Sequence, residues 1–225
     1  MWTYFLSVYF LHNKNKKGQL EESTLDVFLN KIIAFVWGFS FVNPGVNALR
    51  TPVYAEMINV VTNKDVNFDE HKFEENTLRT AINNFEFKNG RPITRSMLTW
   101  WAFISDNQTI PTLNTNFDIE HIFARKKQEN DKTLINTKNL ESLGNKALLE
   151  DKINIRASDY RFSDKVKYYK GFTNDKGQHK AGTIISELVN LATNKNDFTE
   201  QDIIKRTEDI ANEFINFLNK NNLIK

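Results

Sequence analysis

Between residues 117 and 154 the chain carries side chains that together could hydrolyse a phosphodiester. Phe117-Asp118-Ile119-Glu120-His121-Ile122-Phe123 is followed by Leu143-Gly144-Asn145-Lys146-Ala147-Leu148-Leu149 and then by Asn154. Such a hydrolysis needs a deprotonated water, charge relief at the non-bridging oxygens and stabilisation of the departing alkoxide. A neutral His, with an unperturbed pKa of about 6.5, can supply the first. One hard divalent cation on oxygen ligands can supply the other two. His121 is the candidate base, Glu120 an anionic ligand and Asn154 a neutral one. One carboxylate and one amide leave several waters on the metal, which suits Mg²⁺ or Mn²⁺. Asn145 stands where a loop enters the second apolar run, and its amide could pin the loop backbone beneath His121.

Two short strands must position these groups. Residues 117–122 alternate in polarity, as in a half-buried strand, and Lys146 to Leu149 form a second. Alternation sends neighbouring side chains to opposite faces. For Glu120 and His121 to share a site, the strand must end or bulge there. A helix is expected from about Lys152 to Asp159, placing Asn154 in its first turns, and another from Ser163 to Tyr169. Residues 124–142 and Thr173 to Gly182 read as loops.

The flanks read as helical. Ser23-Thr24-Leu25-Asp26 has capping-box character ahead of a helix from Val27 to Phe39. Further helices are expected over about 46–61, with Pro52 near its start, and over Glu70 to Phe85. Thr94 is expected to cap a helix from Arg95 to Ser105, and Thr199-Glu200-Gln201-Asp202 to cap one ending near Leu218. The Pro-interrupted loop from Asn107 to Asn116 suggests a domain boundary.

Composition sets outer limits. The chain has 225 residues, 40% of them hydrophobic and 26% charged, as in ordinary globular proteins. With no Cys, disulfides, thiolate zinc sites and Cys nucleophiles are excluded. Net charge is only +2, but residues 117–180 hold 14 Lys/Arg against 10 Asp/Glu, whereas the rest holds 16 against 18. That asymmetry fits a phosphate-facing middle. The apolar start, Met1 to Leu11, falls short of the roughly 20 residues of a membrane span. It also lacks signal-peptide features, so the expected setting is cytoplasmic, without a membrane.

The same residues carry a family resemblance. Asp118-Ile119-Glu120-His121-Ile122, then Gly144-Asn145-Lys146-Ala147-Leu148-Leu149, then Asn154, Phe162 and Lys165 resemble the HNH, or His-metal finger, nucleases. The likeness is closer still to the C-terminal nuclease domain of GmrSD-type modification-dependent restriction enzymes. It covers about 117–170 well and the flanking helices more loosely. By position it implies His121 as general base, Glu120 and Asn154 as metal ligands, Asn145 as the loop-fixing Asn, and Asp118 in a supporting place behind the ligands. That family often has Pro three residues after the His, where this chain has Ala124. The parent enzymes carry a nucleotide-dependent N-terminal domain whose motif is not found here. The resemblance therefore implies a fragment, a split subunit working with such a partner, or a stand-alone relative.

The remaining candidates divide simply. Arg125, Lys126 and Lys127, together with Lys146, could grip backbone phosphates. Trp100 and Trp101 lie in a helical apolar band and read as core, and His12, His71 and His179 lack acid neighbours on a strand. The expected architecture is α+β: mainly helical with a small ββα-metal (His-metal finger) motif in the middle. It would comprise a helical region over 1–110, the finger over 111–172, and helices over 173–225 packing back on it. The expected function is a Mg²⁺- or Mn²⁺-dependent DNA endonuclease in restriction or anti-phage defence, with double-stranded DNA, modified DNA included, as partner. The alternatives are a catalytically silent DNA-binding or partner-docking module of a larger defence complex, and an RNase or toxin nuclease.

Overall fold

The apolar stretch after Glu21 folds as one long helix, and the first part of the chain is organised around it. In a computed structural model describing residues 1–45, 47–158 and 161–225, the chain divides into two units: 1–85 with 211–225, and 86–210. The end of the Lys152-to-Asp159 helix expectation falls on Asp159, outside the described residues.

In the first unit, α1 (Trp2–Asn13), α2 (Glu22–Val42), α3 (Arg50–Val61) and α4 (Glu75–Asn84) enclose an aromatic core. The Tyr9 ring stacks on Phe28 at 3.6 Å between centroids, and Phe35 stacks on Phe68 at 3.7 Å. Buried Glu56 ties the chain beside this core, accepting from the backbone N–H groups of Asn67 at 3.0 Å and Phe68 at 2.8 Å. Helix α2 is long and apolar enough to cross a membrane. Here its Phe28, Ile32, Phe35, Phe39 and Phe41 are buried.

Two boundaries differ from expectation for local reasons. Helix α2 starts five residues before Val27, and the Ser23 and Thr24 hydroxyls turn back to Glu21 rather than forming a box. Helix α4 starts at Glu75 instead of Glu70, because Phe73 is extended: its N–H donates to Leu223 O and its carbonyl accepts from Lys225 N.

In the second unit, α5 (Pro92–Phe103) precedes β1 (Phe117–His121), α6 (Arg125–Asp131), β2 (Lys146–Glu150), α7 (Asp151–Ala157) and α8 (Phe162–Lys170). A hairpin follows, β3 (Gly171–Thr173) with β4 (His179–Ala181), then α9 (Ser186–Asn194) and the start of α10 (Glu200–Lys220). Helix α5 begins at Pro92, whose fixed φ suits a first helical position. The Thr94 hydroxyl meets Lys88 O rather than capping. At α10 the expected capping box is present: Thr199 N donates to Asp202 Oδ2 at 2.8 Å, and Asp202 N to Thr199 Oγ1 at 3.4 Å.

Strands β1 and β2 pair antiparallel from Phe117↔Glu150 to His121↔Lys146, and α7 follows β2 without a linker. The protein is thus α+β, mainly helical, with two small two-stranded sheets among the described residues. Part of the segment read as a loop over 124–142 is α6, and the Thr173-to-Gly182 segment contains most of the second hairpin.

Candidate functional site

Strand β1 stays in register through its last residue, so the Glu120–His121 pair is not brought to one side by a break. Its alternation separates them: Asp118 and Glu120 share one face, and His121 shares the other with its cross-strand partner Lys146.

On the first face Glu120 is almost sealed, at 4% exposure. Its Oε1 accepts from the Tyr169 hydroxyl and pairs with Lys165 Nζ, both at 2.7 Å. Lys165 also donates to the His121 carbonyl. Burial raises the Glu120 pKa, and Lys165 opposes that rise. The same burial, together with the Glu120 charge, pushes the Tyr169 hydroxyl well above its usual value. At the outer end of this face, half-buried Asn154 on α7 approaches half-buried Asp118, Nδ2 to Oδ2 at 3.5 Å, the limit of a hydrogen bond. Among the described residues no group of three or more His, Cys, Asp or Glu gathers as a metal cluster.

On the opposite face Lys146 is fully buried. Its Nζ meets Asn89 Oδ1 at 2.6 Å, Glu141 Oε2 at 2.8 Å and His121 Nε2 at 3.1 Å. Lys146 therefore lies inside the protein, because β2 points it at Asn89, Glu141 and His121, and does not stand on a phosphate-facing surface. Glu141 Oε1 accepts from Arg125 at 2.6 Å and stands 3.6 Å from His121 Nε2. Burial pushes the Glu141 carboxyl up, but Lys146 and Arg125 together hold it below its usual range. Burial, reinforced by the Lys146 and Arg125 charges, pushes the His121 pKa down to about 3. Its imidazole is neutral at working pH.

Asn145 is wholly buried and fixes the chain just past His121. Its Oδ1 accepts from Phe123 N at 2.7 Å, its Nδ2 donates to Phe123 O at 3.2 Å and Leu140 O at 3.1 Å, and its carbonyl accepts from Ile122 N at 2.9 Å. The neighbouring Gly144 lies against α10, where a Cβ would stand 2.0 Å from Ile203 O. Arg206 on the same helix collects the carbonyls of Leu143, Gly144 and Lys146 at 3.1, 3.0 and 2.7 Å and forks onto Glu187. Glu200 holds the preceding loop, accepting from the N–H groups of Ile135 and Asn136 at 2.8 Å each and from Asn139 Nδ2 at 2.7 Å.

The basic run after His121 lies on α6. Arg125 and Lys126 are exposed, Arg125 paired with Glu141 and Lys126 with Glu129. Lys127 pairs with Asp197 at 3.0 Å and lies over the Phe123 ring.

Sequence reasoning did not single out Asn89, Glu141, Tyr169 or Arg206. Asn89, Glu141 and Arg206 act across 57, 5 and 60 residues toward Lys146, and no local pattern marks such pairs. The nearest signal was Lys165 on α8, whose buried partner Glu120 lies on β1.

Neither the curated proteins nor the solved structures contain a significant match. A family model does match: GmrSD restriction endonucleases, C-terminal domain, over residues 72–213. That span is more than half of the chain and includes both strands, α7, α8 and the Asn145 clamp, so the protein belongs to the family of GmrSD restriction endonuclease C-terminal domains.

Proposed function

We propose that the chain is an HNH-type, divalent-metal-dependent DNA endonuclease acting in restriction or anti-phage defence. The observation that carries this reading is a buried His121 at the end of β1, in a β1–β2–α7 unit whose other face sets the Asn154 amide nitrogen 3.5 Å from Asp118 Oδ2. The proposed base and the proposed metal ligands lie on opposite faces of β1. His121 is the group placed to take a proton from the attacking water, and burial with the Lys146 charge keeps it uncharged.

The donor set fits a hard cation that retains most of its waters. Glu120 and Asn154 would hold it, Glu120 through Oε2 since Oε1 is shared by Lys165 and Tyr169, with Asp118 beside Asn154 in support. When bound, Mg²⁺ or Mn²⁺ supplies charge stabilisation at the phosphate and the leaving oxygen. Arg125, Lys126 and Lys127 line up on α6 beyond the strand, where they would contact flanking phosphates. The proposed substrate is double-stranded DNA, modified DNA included, and the proposed setting is the cytoplasm. A nucleotide-dependent subunit or domain would direct it there.

Plasmid and modified phage DNA, incubated with and without Mn²⁺, provide the test. Nicking that EDTA removes and His121→Ala loses is expected; equal nicking by His121→Ala would sink the assignment. One observation favours the competing reading of a silent DNA-binding or docking module: the sealed Glu120–Lys165–Tyr169 cluster removes one Glu120 oxygen from the ligand set. Salt-sensitive DNA binding with no metal effect and no cleavage would decide for the module.

A further inference from the structure

Helix α1 is apolar on all sides, and no charged side chain precedes His12. Helices of that kind are ordinarily buried all round. Here only Phe5 and Tyr9 are buried. Trp2, Tyr4, Phe10 and Leu11 are exposed, and α3, packed beside α1, adds exposed Tyr54, Ile58 and Val61. The spacing of the last three, four residues and then three, sets them on one helix face. His12 Nε2 lies 3.0 Å from Asn63 Oδ1, just past the end of α3, so the two helices end together.

This surface lacks charge. The charged residues of α3 are Arg50, at its first position, and Glu56, which is buried and bound to the backbone of Asn67 and Phe68. The seven apolar side chains are between 39% and 68% exposed and present on the order of 700 Å². That exceeds the roughly 300–600 Å² of the largest patch on a typical monomer and approaches the roughly 800 Å² per partner of a standard interface. Four of the seven are aromatic, the type enriched at interface cores. An apolar groove of about 550 Å³ opens alongside, where Phe10 and Leu11 join Leu20, Leu25 and Leu29.

We infer that the α1–α3 face is the contact surface for a second copy of this chain, paired about a two-fold axis. A two-fold contact sets one patch against itself, and an uncharged apolar face meets its copy without like-charge opposition. A nucleic acid would need cations that this face does not carry. The area decides for a copy: each chain contributes nearly what a stable pair buries. Aromatic side chains stand out beside a groove, which supplies both the protrusion and the recess. Two copies would bring two nuclease units into one assembly, one for each strand of a duplex. That consequence rests on the nuclease reading, whereas the pairing stands on the face alone.

Light scattering on the eluting full chain measures its mass. At micromolar concentration the expected mass is twice the 26.3 kDa of the chain. Leu11→Glu combined with Tyr54→Glu places charges on the face and should halve that mass without changing the far-ultraviolet spectrum, since both side chains are exposed. Val61→Glu, at the exposed last position of α3, is the second variant and should act alike. Leu113→Glu, fully exposed in the Asn107-to-Asn116 loop, should leave the mass doubled. A monomeric wild type overturns the inference without any variant, as does a dimer that both folded face variants retain. Flotation with phosphatidylglycerol vesicles separates another occupant: a monomeric wild type that floats, where the face variants do not, assigns the face to a lipid surface and overturns the pairing. A dimer that never cuts DNA would remove the nuclease reading and leave the pairing standing.

Discussion

Asn145 and Phe123 are bound to each other in both directions: the Asn145 amide oxygen accepts from Phe123 N at 2.7 Å, and its amide nitrogen donates to Phe123 O at 3.2 Å. An Ala here would leave those two backbone groups and the Leu140 carbonyl unpaired. At roughly 1 kcal/mol for each lost bond, Asn145→Ala should cost about 3 kcal/mol. Urea unfolding checks it, and a change below about 1 kcal/mol would show the clamp to be dispensable.

Gly144 is governed by close approach. A Cβ would stand 2.0 Å from Ile203 O and 2.7 Å from Thr207 N, both backbone atoms of α10. Gly144→Ala must displace the helix, at a cost of about 3 kcal/mol or more. Gly90, with nothing within 4 Å of its added Cβ, is the control. Gly90→Ala should change stability by less than about 0.5 kcal/mol. Equal melting temperatures for the two variants would refute the packing argument.

Lys165 and Glu120 form a buried pair, 1% and 5% exposed at the side chains. Lys165→Met strands the carboxylate and should destabilise by about 3–5 kcal/mol. Adding Glu120→Gln should restore much of that loss, and a double-mutant cycle measures the coupling. Strict additivity would show the pair not to interact.

Acid should expose His121. Its pKa in the folded state is about 3, below the ordinary 6.5. Between those values the unfolded chain binds a proton that the folded protein refuses, so the contribution of His121 is full above pH 6.5 and is lost as pH falls toward 3. The slope from one such group approaches about 1.4 kcal/mol per pH unit. Glu120, shifted in the opposite direction, acts with opposite sign above its ordinary pKa, so the difference between wild type and His121→Gln is the quantity to measure. That difference should grow with pH between 4 and 6.5; parallel curves would count against a neutral buried imidazole.

Much of the fold was legible because its signals are local. The Thr199–Asp202 box, the alternation of Phe117 to His121 and the apolar band of α5 each lie within a few residues. Asn145 and Asn154 stood out by their spacing from His121. What was missed depends on distant partners. Residues 171–173 and 179–181 have no apolar alternation, and their pairing follows from the turn between them and from Gly171, whose φ is +81°. Phe73 left the helical pattern to pair with Leu223 and Lys225. Lys146 looked like a phosphate contact because sequence shows its charge and not the three partners that surround it.

The loop between α6 and β2 is tied by Glu200 at Ile135, Asn136 and Asn139, and by Asn145 at Leu140. Its conformational entropy is therefore surrendered when the chain folds, not when a ligand arrives. Association with a nucleic acid should leave this segment's amide-exchange protection unchanged, and the heat-capacity change should lack the contribution of coupled folding. Discrimination between ligands would then come from fit to a rigid surface, with little capacity to remould around a poor one.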